Sequence, residues 1–480
     1  MRLRALLAGW LNEVPADLEV DGLCLDSRRV QRGDAFVALA GAREHGLAHA
    51  RAAIASGAVV VLHDGRAAVP SDLAVPALEV PGLAANLPEL CRRMWDDPAA
   101  GLALVAVTGT NGKTSIAWLL AQALDGAMIG TLGVGRPGAL GAATHTTPDL
   151  PELYRALAEL RDAGVREVIL EASSHALDQG RLAGLAFEST IFTNLGRDHL
   201  DYHRTRSAYG DAKVRLFTDY RSARKLINID DPFGQDLAGR PEIAADCIGY
   251  AFDNPAAQVR ARSLATTADG LELTLATPAG ALTLSSRLIG RVNAWNLLVL
   301  AAELGARGFS RDDISRRVAA LEPVPGRLQL ISGPAGQRVF VDYAHTPDAL
   351  KAALGSLREL TEQRLICVFG CGGDRDRGKR PRMGRIAEAL ADQVVLTSDN
   401  PRSEEPLRIL REIQSGMARP ERARVLPERA EAIALAVAGA RPGDCVLIAG
   451  KGHETTQDLG DRVVEFSDFE AARRALEVAA

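Results

Sequence analysis

The 480-residue chain has no excess of positive charge, no long apolar run and no closely paired cysteines. A formal net charge of −5 provides no global basic field for nucleic acid or an anionic membrane, although local basic clusters remain compatible with it. No uninterrupted apolar stretch reaches the ~18 residues that would suggest a bilayer-spanning helix. The opening MRLRALLAGWLNEVPADLEV sets two arginines before Ala-Leu-Leu-Ala, as a secretory signal does. Glu13 and its neighbours break the apolar stretch too early, so the segment reads as an amphipathic helix. The cysteines, Cys24, Cys91, Cys247, Cys367, Cys371 and Cys445, form no CxxC pair, which fits reduced thiols in a cytoplasmic protein. Cys367 and Cys371 lack the second pair a metal site needs and are expected to pack in a strand and a loop. Internal repeats and low-complexity segments are absent too.

What is there is an ordinary globular balance, 47% hydrophobic and 24% charged, in a chain too long for one core. Three blocks emerge. Residues 1–97 alternate short apolar runs (35–39, 58–62) with helical stretches such as 49–56, up to the break at Asp96-Asp97-Pro98. Residues 98–324 open on an apolar run at 102–107, followed by a Gly-rich turn and a helix over about 114–124. Further buried-type strands at 167–170 and 189–192 predict a mostly parallel sheet covered on both faces. The alternation at 271–275 reads as an antiparallel hairpin. Residues 325–480 again alternate strands (339–341, 365–369, 393–396, 445–449) with helices. The expected class is α/β, with a central parallel-sheet domain and a C-terminal open, Rossmann-like domain whose ligands gather at the carboxyl ends of strands.

The segment Thr108-Gly109-Thr110-Asn111-Gly112-Lys113-Thr114-Ser115 lies between a buried-type strand and a helix. Glycines let a backbone wrap a phosphate, and the N–H groups with the helix N-terminus supply positive potential. Lys113 is placed to reach terminal phosphates, and the Thr114 hydroxyl to bind Mg²⁺. The general phosphate-loop pattern has a glycine where Val107 stands. The bland alternative is a turn with an incidental lysine, but strand, loop, Lys-Thr and helix in order favour nucleotide binding. Two further segments follow strands directly. Glu171 begins Glu171-Ala172-Ser173-Ser174-His175, and His199 falls within Thr193-Asn194-Leu195-Gly196-Arg197-Asp198-His199. A carboxylate and an imidazole at strand ends beside a phosphate loop suit a metal ion, since Mg²⁺ takes only one or two carboxylates plus phosphate and water.

The spelling GTNGKT resembles the ATP loop of the Mur ligase family and its folylpolyglutamate synthetase relatives. The resemblance extends over the whole chain. It implies ATP binding by Gly109 to Ser115, with Asn293 and Asn296 on the adenine side and Arg327 and Asp342 approaching from the third domain. It implies two Mg²⁺ ions held with Glu171, His199 and Thr114, and with Lys213 as a carbamate. Without the resemblance Lys213 would read as a solvated helix lysine. Leu25-Asp26-Ser27-Arg28 and Gly33-Asp34-Ala35-Phe36 are similar to the UDP-binding domain of the dipeptide-accepting branch, with Leu25 and Ser27 as contacts. Thr146, Thr147, Ser173, Gln179 and Arg181 match positions that hold a muramoyl dipeptide. His145 stands where the family often has Asn, and the uridine-side loop Ala42-Arg43-Glu44 departs from the family pattern.

In the third block Asp399-Asn400-Pro401-Arg402 resembles the signature of members that add meso-diaminopimelate. An arginine fork suits a distal carboxylate, which lysine lacks. Arg375, Gly450 and Glu454 complete the set, Glu454 being suited to the distal ammonium. The bland alternative for Asp399–Arg402 is a helix-capping turn after a strand. The resemblance implies catalysis centred on Lys113, Lys213 and His199: a D-glutamyl carboxylate attacks the γ-phosphate of ATP, and the amine then displaces phosphate from the acyl phosphate. Small-molecule substrates, no nucleic acid, no membrane and a monomer are expected. The competing readings are a lysine-adding relative, a folylpolyglutamate synthetase, a phosphate-loop kinase or regulatory ATPase, and a non-catalytic precursor-binding protein.

Overall fold

The computed structural model describes all residues except 12, 15–17, 42, 43, 144, 268, 334, 335, 479 and 480. Of the uridine-side loop, Ala42 and Arg43 therefore lie outside the described residues. The chain forms two compact units, one of residues 1–108, 124–190 and 212–223, the other of residues 109–123, 191–211 and 224–480.

In the first unit, strands Gly22–Cys24, Asp34–Ala38, Val60–His63 and Ala77–Glu79 make a four-stranded, wholly parallel sheet. The run predicted at 35–39 is its fully buried second strand, because both faces are covered. The predicted N-terminal helix shrinks to one turn, Leu3–Leu6. Gly9 adopts φ +88°, which a continuing helix does not allow. Ala103–Thr108 pairs in parallel with Glu167–Glu171, which pairs in parallel with Ala127–Gly130. Gly133–Arg136 and Ala139–Gly141 continue antiparallel.

In the second unit, Val259–Thr267, Gly270–Thr277 and Gly280–Ser286 form an antiparallel meander, so the hairpin predicted at 271–275 is there with a third strand added. The C-terminal sheet is parallel apart from Gln329–Ser332 at one edge. Its order runs from that strand through Arg338–Asp342, Cys445–Ala449, Leu365–Phe369 and Gln393–Leu396 to Arg424–Val425. Two apolar layers cover its faces, one built on Phe340, Leu354, Cys367 and Met383, the other on Val341, Val368, Ile433 and Ile448. Cys367 is buried in a strand, and the Cys371 sulfur packs 3.7 Å from Met383 Sδ, as the packing reading expects. Among the described residues, no helix is long and apolar enough to cross a membrane.

Candidate active site

The residues expected at the site fall in both units: Glu171 and Lys213 in the first, Lys113 and His199 in the second. Each unit builds its own cluster.

In the second unit, the helix Lys113–Ala123 starts directly after the loop at 109–112. Gly109 has φ +146°, and a Cβ there would stand 1.9 Å from Thr193 Oγ1, so only glycine fits. The segment after Phe192 laces the loop in place. The Asn111 N–H donates to Asn194 Oδ1 (3.0 Å), Thr193 Oγ1 donates to Asn111 O (2.7 Å), and the Thr110 N–H donates to Asn194 O (2.8 Å). Thr110 Oγ1 accepts from the Gly196 N–H at 2.9 Å and lies 3.2 Å from the Tyr209 hydroxyl. Lys113 Nζ donates to Gly109 O and Thr110 O, 2.9 Å each, which holds the ammonium over the loop. Asn296 Nδ2 donates to Asn293 Oδ1 (3.0 Å), and Asn293 Nδ2 donates to Ile289 O (2.9 Å). The two asparagines thus form one buried chain. His199 follows the loop-lacing segment with φ +53°, its Nε2 3.5 Å from Asp198 Oδ2. Burial alone would raise the Asp198 carboxyl, but the charges on His199, His345 and Lys379 outweigh it and hold it low.

Arg327 donates from Nη2 to Thr114 Oγ1 at 3.2 Å and lies over the Tyr343 ring, 4.4 Å from its centroid. Its Nε is buried without a hydrogen-bond partner among the described residues, an arrangement that suits an anionic ligand. Asp342 accepts from the backbone N–H groups of Leu328 (2.7 Å) and Ala344 (2.8 Å). Leu328 sits at φ +43°, so Asp342 stabilises the strained turn that carries Arg327. Burial raises the Asp342 carboxyl despite the nearby guanidinium. His453 packs against Tyr343, and burial with the charges of Arg327 and Lys451 pushes its imidazole down to about 4.

At the carboxyl ends of Gln393–Leu396 and Cys445–Ala449 a second cluster forms. Asn400 Nδ2 donates to Glu454 Oε2 at 2.9 Å. Arg402, at φ +51°, donates from Nη1 to Gly373 O at 2.7 Å. Arg375 is exposed, its Nη1 3.3 Å from Asp374 O. Gly450 has φ +120°, and a Cβ there would fall 2.5 Å from Asp399 Oδ2. The capping alternative for Asp399–Arg402 does not hold, because Glu405 caps the next helix, Pro406–Gln414, by accepting from the Leu407 N–H.

In the first unit, Glu171 is buried at the end of its strand. Its Oε1 accepts from the Thr131 N–H (2.8 Å) and its Oε2 from Thr131 Oγ1 (3.2 Å). Thr131 Oγ1 lies 3.1 Å from Thr146 Oγ1. Thr147 Oγ1 lies 2.6 Å from Glu171 O and accepts from the Ser173 N–H at 3.1 Å. Ser173 Oγ caps the helix Ser174–Asp178, and Arg181 donates to Thr147 O (2.8 Å) and Gln179 Oε1 (2.6 Å). Thr146, Thr147, Ser173 and Arg181 thus gather around the Glu171 strand end, with Gln179 exposed beside Arg181. Leu25 and Ser27 lie in the bend after Gly22–Cys24, Ser27 buried. Lys213, in the helix Arg206–Thr218, is only 1% exposed, which removes the solvated-lysine alternative.

In the first unit Glu171 offers a carboxylate oxygen of the kind Mg²⁺ binds. No group of three His, Cys, Asp or Glu residues that could hold a metal exists among the described residues. Glu171 therefore fits magnesium only together with oxygens from a nucleotide or water.

Two buried cations beside this C-terminal cluster escaped the sequence reading. Lys451 and Arg429 are both almost wholly enclosed, and Arg429 donates to Ser398 O (3.1 Å) and Ala449 O (3.0 Å), just before Asp399 and Gly450. Lys451 sits between Gly450 and Glu454 in the sequence, whereas nothing next to Arg429 marked it.

Three family models match: "Mur ligase family, catalytic domain" at 19–94, "Mur ligase middle domain" at 107–304, and "Mur ligase, glutamate ligase domain" at 326–452. The chain is 46% identical over 492 residues to the UDP-N-acetylmuramoyl-L-alanyl-D-glutamate--2,6-diaminopimelate ligase of Alkalilimnicola ehrlichii, covering 99% of each. The identically named protein of Pseudomonas aeruginosa is 46% identical over 468 residues, with 96% of each covered. A solved structure of a UDP-N-acetylmuramoyl-L-alanyl-D-glutamate--2,6-diaminopimelate ligase aligns with a TM-score of 0.69 at 34% identity, covering 100% of this chain and 99% of the other.

Proposed function

This chain belongs to the Mur ligase family, and from that premise we propose that it joins meso-2,6-diaminopimelate to UDP-N-acetylmuramoyl-L-alanyl-D-glutamate at the expense of ATP. The observation that carries the choice of amino acid is the Asn400–Glu454 hydrogen bond two residues from Arg402. The bond joins the loop that carries Arg402 to the one that carries Glu454, which supports a guanidinium and a carboxylate as partners for a second carboxylate and a second ammonium. Proposed domains are 1–97 for the UDP precursor, 98–324 for ATP and 325–480 for the amino acid, in a cytoplasmic monomer.

In this reading Lys113 and the loop N–H groups bind the phosphates of ATP, and Arg327, with Nε buried and unpaired, adds positive charge near Thr114. Asn293 and Asn296, held as one buried chain, face the adenine, and Asp342 keeps Arg327 aimed. Leu25, Ser27, Thr146, Thr147, Ser173, Gln179 and Arg181 bind and orient the UDP-muramoyl dipeptide. Its D-glutamyl carboxylate attacks the γ-phosphate, giving an acyl phosphate and ADP. The amine at the L-centre of diaminopimelate, held by Arg375, the Asp399–Arg402 loop, Gly450 and Glu454, then displaces phosphate. Glu171, His199, Thr114 and a carbamylated Lys213 would hold two Mg²⁺ ions. Magnesium, when bound, supplies neutralisation of the charge on the transferred phosphoryl group.

The test is mass spectrometry of the product formed from ATP, UDP-muramoyl dipeptide and meso-diaminopimelate, with L-lysine and a folate substrate in parallel. The expected product carries diaminopimelate in amide linkage. Lysine addition, folate extension, or ATP turnover without amide formation would each overturn the assignment.

A further inference from the structure

The side chain of Lys451 is completely buried, and an enclosed ammonium is tolerated only when its donors find acceptors. All three find one. Nζ donates to Glu454 Oε2 at 2.8 Å, to Asn400 Oδ1 at 3.1 Å and to Thr456 O at 2.6 Å. Asn400 Oδ1 also accepts from the Asp458 N–H at 3.0 Å, which turns Nδ2 towards the same Glu454 oxygen. Lys451 and Glu454 are tied by one tight turn as well, the Glu454 N–H donating to Lys451 O at 2.9 Å. Both donors therefore clamp Oε2. Glu454 Oε1 takes no hydrogen bond from any described residue, and the side chain keeps 30% of its surface exposed.

One carboxylate oxygen is anchored and the other is presented. A carboxylate that served only to neutralise a buried lysine would not need its free oxygen at the surface of the amino-acid cluster. We infer that Lys451 is a positioning residue that aims Glu454 at the distal ammonium of the incoming amino acid. Lys451 does not touch the substrate. It acts by fixing the rotamer of Glu454 and the amide orientation of Asn400, so that the charge pair between substrate and enzyme forms without further ordering. This rests on the diaminopimelate reading above.

The test compares meso-diaminopimelate with 2-aminopimelate, which keeps both carboxylates but lacks the distal amine. kcat/KM for each is measured in the wild type, Lys451→Met and Lys451→Gln, with KM for ATP and for the UDP-dipeptide. Wild type should prefer diaminopimelate. In the variants that preference should fall on the order of tenfold or more, since the lost contact is a hydrogen bond between charged groups. Use of 2-aminopimelate and both other KM values should hold nearly constant. Equal losses for the two amino acids, an unchanged preference, or a wild type that uses both equally well would overturn the inference. So would loss of fold in both variants, which would make Lys451 a core residue. A wild type that makes no product from diaminopimelate overturns the proposed function instead, and the inference falls with it.

Discussion

Arg429 and Asp468 meet in a two-pronged ion pair, with Nε to Oδ1 at 2.6 Å and Nη2 to Oδ2 at 2.7 Å, and both side chains are fully buried. The pair ties the last helix, Asp468–Val478, to the two strand ends that carry Asp399 and Gly450. Asp468→Ala should leave an uncompensated guanidinium inside the protein and cost about 3–5 kcal/mol of stability. Removing both charges, as Arg429→Met with Asp468→Leu, should cost clearly less than the two single variants added together. Denaturant melts of the three variants decide it, and strict additivity would contradict the pairing.

Gly109→Ala tests the phosphate loop. At φ +146° and with Thr193 Oγ1 in the way, a methyl group must displace the segment that laces the loop. A shift of about 1 Å at such a site costs on the order of a hundredfold in rate, so kcat/KM for ATP should fall by roughly that factor. Lys113→Ala should abolish turnover with the circular dichroism melt little changed. A variant at 109 with normal ATP kinetics would show that the loop does not hold the nucleotide.

Lys213→Ala should be nearly inactive and partly recover with acetate or formate, which can replace the missing carbamate oxygens. Lys213→Arg should stay inactive in both conditions, since a guanidinium cannot become an oxygen ligand. Intact mass of active wild type should show the carbamate, and an unmodified lysine in active, Mg²⁺-loaded enzyme would contradict it.

If Arg402 grips the distal carboxylate, Arg402→Ala leaves that anion unpaired, at a cost of about 2–5 kcal/mol, or roughly 30- to several-thousand-fold in kcat/KM for diaminopimelate. Lysine has no distal carboxylate, so its poor use should change far less. Arg402→Lys should recover only part of the loss, because an ammonium lacks the planar fork. Equal losses for the two amino acids would assign Arg402 to loop structure through its bond to Gly373.

Acid should loosen the C-terminal domain through Glu404. Hydrogen bonds from buried Arg380, outweighing burial, hold this carboxyl down at about 2, against an ordinary 4.5. A depressed carboxyl contributes stability that is fully present above 4.5 and is lost as pH falls through about 2. The Tm difference between wild type and Glu404→Gln should therefore be largest near neutrality and shrink between pH 4.5 and 2. A difference that stays constant across that range would remove Glu404 from the acid response.

The apolar strands, the phosphate loop and the antiparallel pairing at 271–275 were legible in the sequence because each depends on near neighbours. Leu104 to Val107 are apolar on both faces, glycines flank Thr110 and Asn111, and polar and apolar residues alternate at 271–275. The amino-acid cluster was legible as motifs, Asp399–Arg402 and Gly450–Glu454, though not as the hydrogen-bonded unit they form. Composition could not separate a buried lysine from a solvated one: without the family resemblance Lys213 reads as solvated, and nothing singled out Lys451, yet the tertiary structure encloses both. Nor could it pair Arg429 with Asp468, thirty-nine positions apart. The physical reason is the same in each case. Local conformation follows from sterics and hydrophobic period over a few residues, whereas the environment of a charge is set by whichever distant segments pack around it. Only the folded chain decides which cations lose water, and hence which must find their acceptors inside the protein.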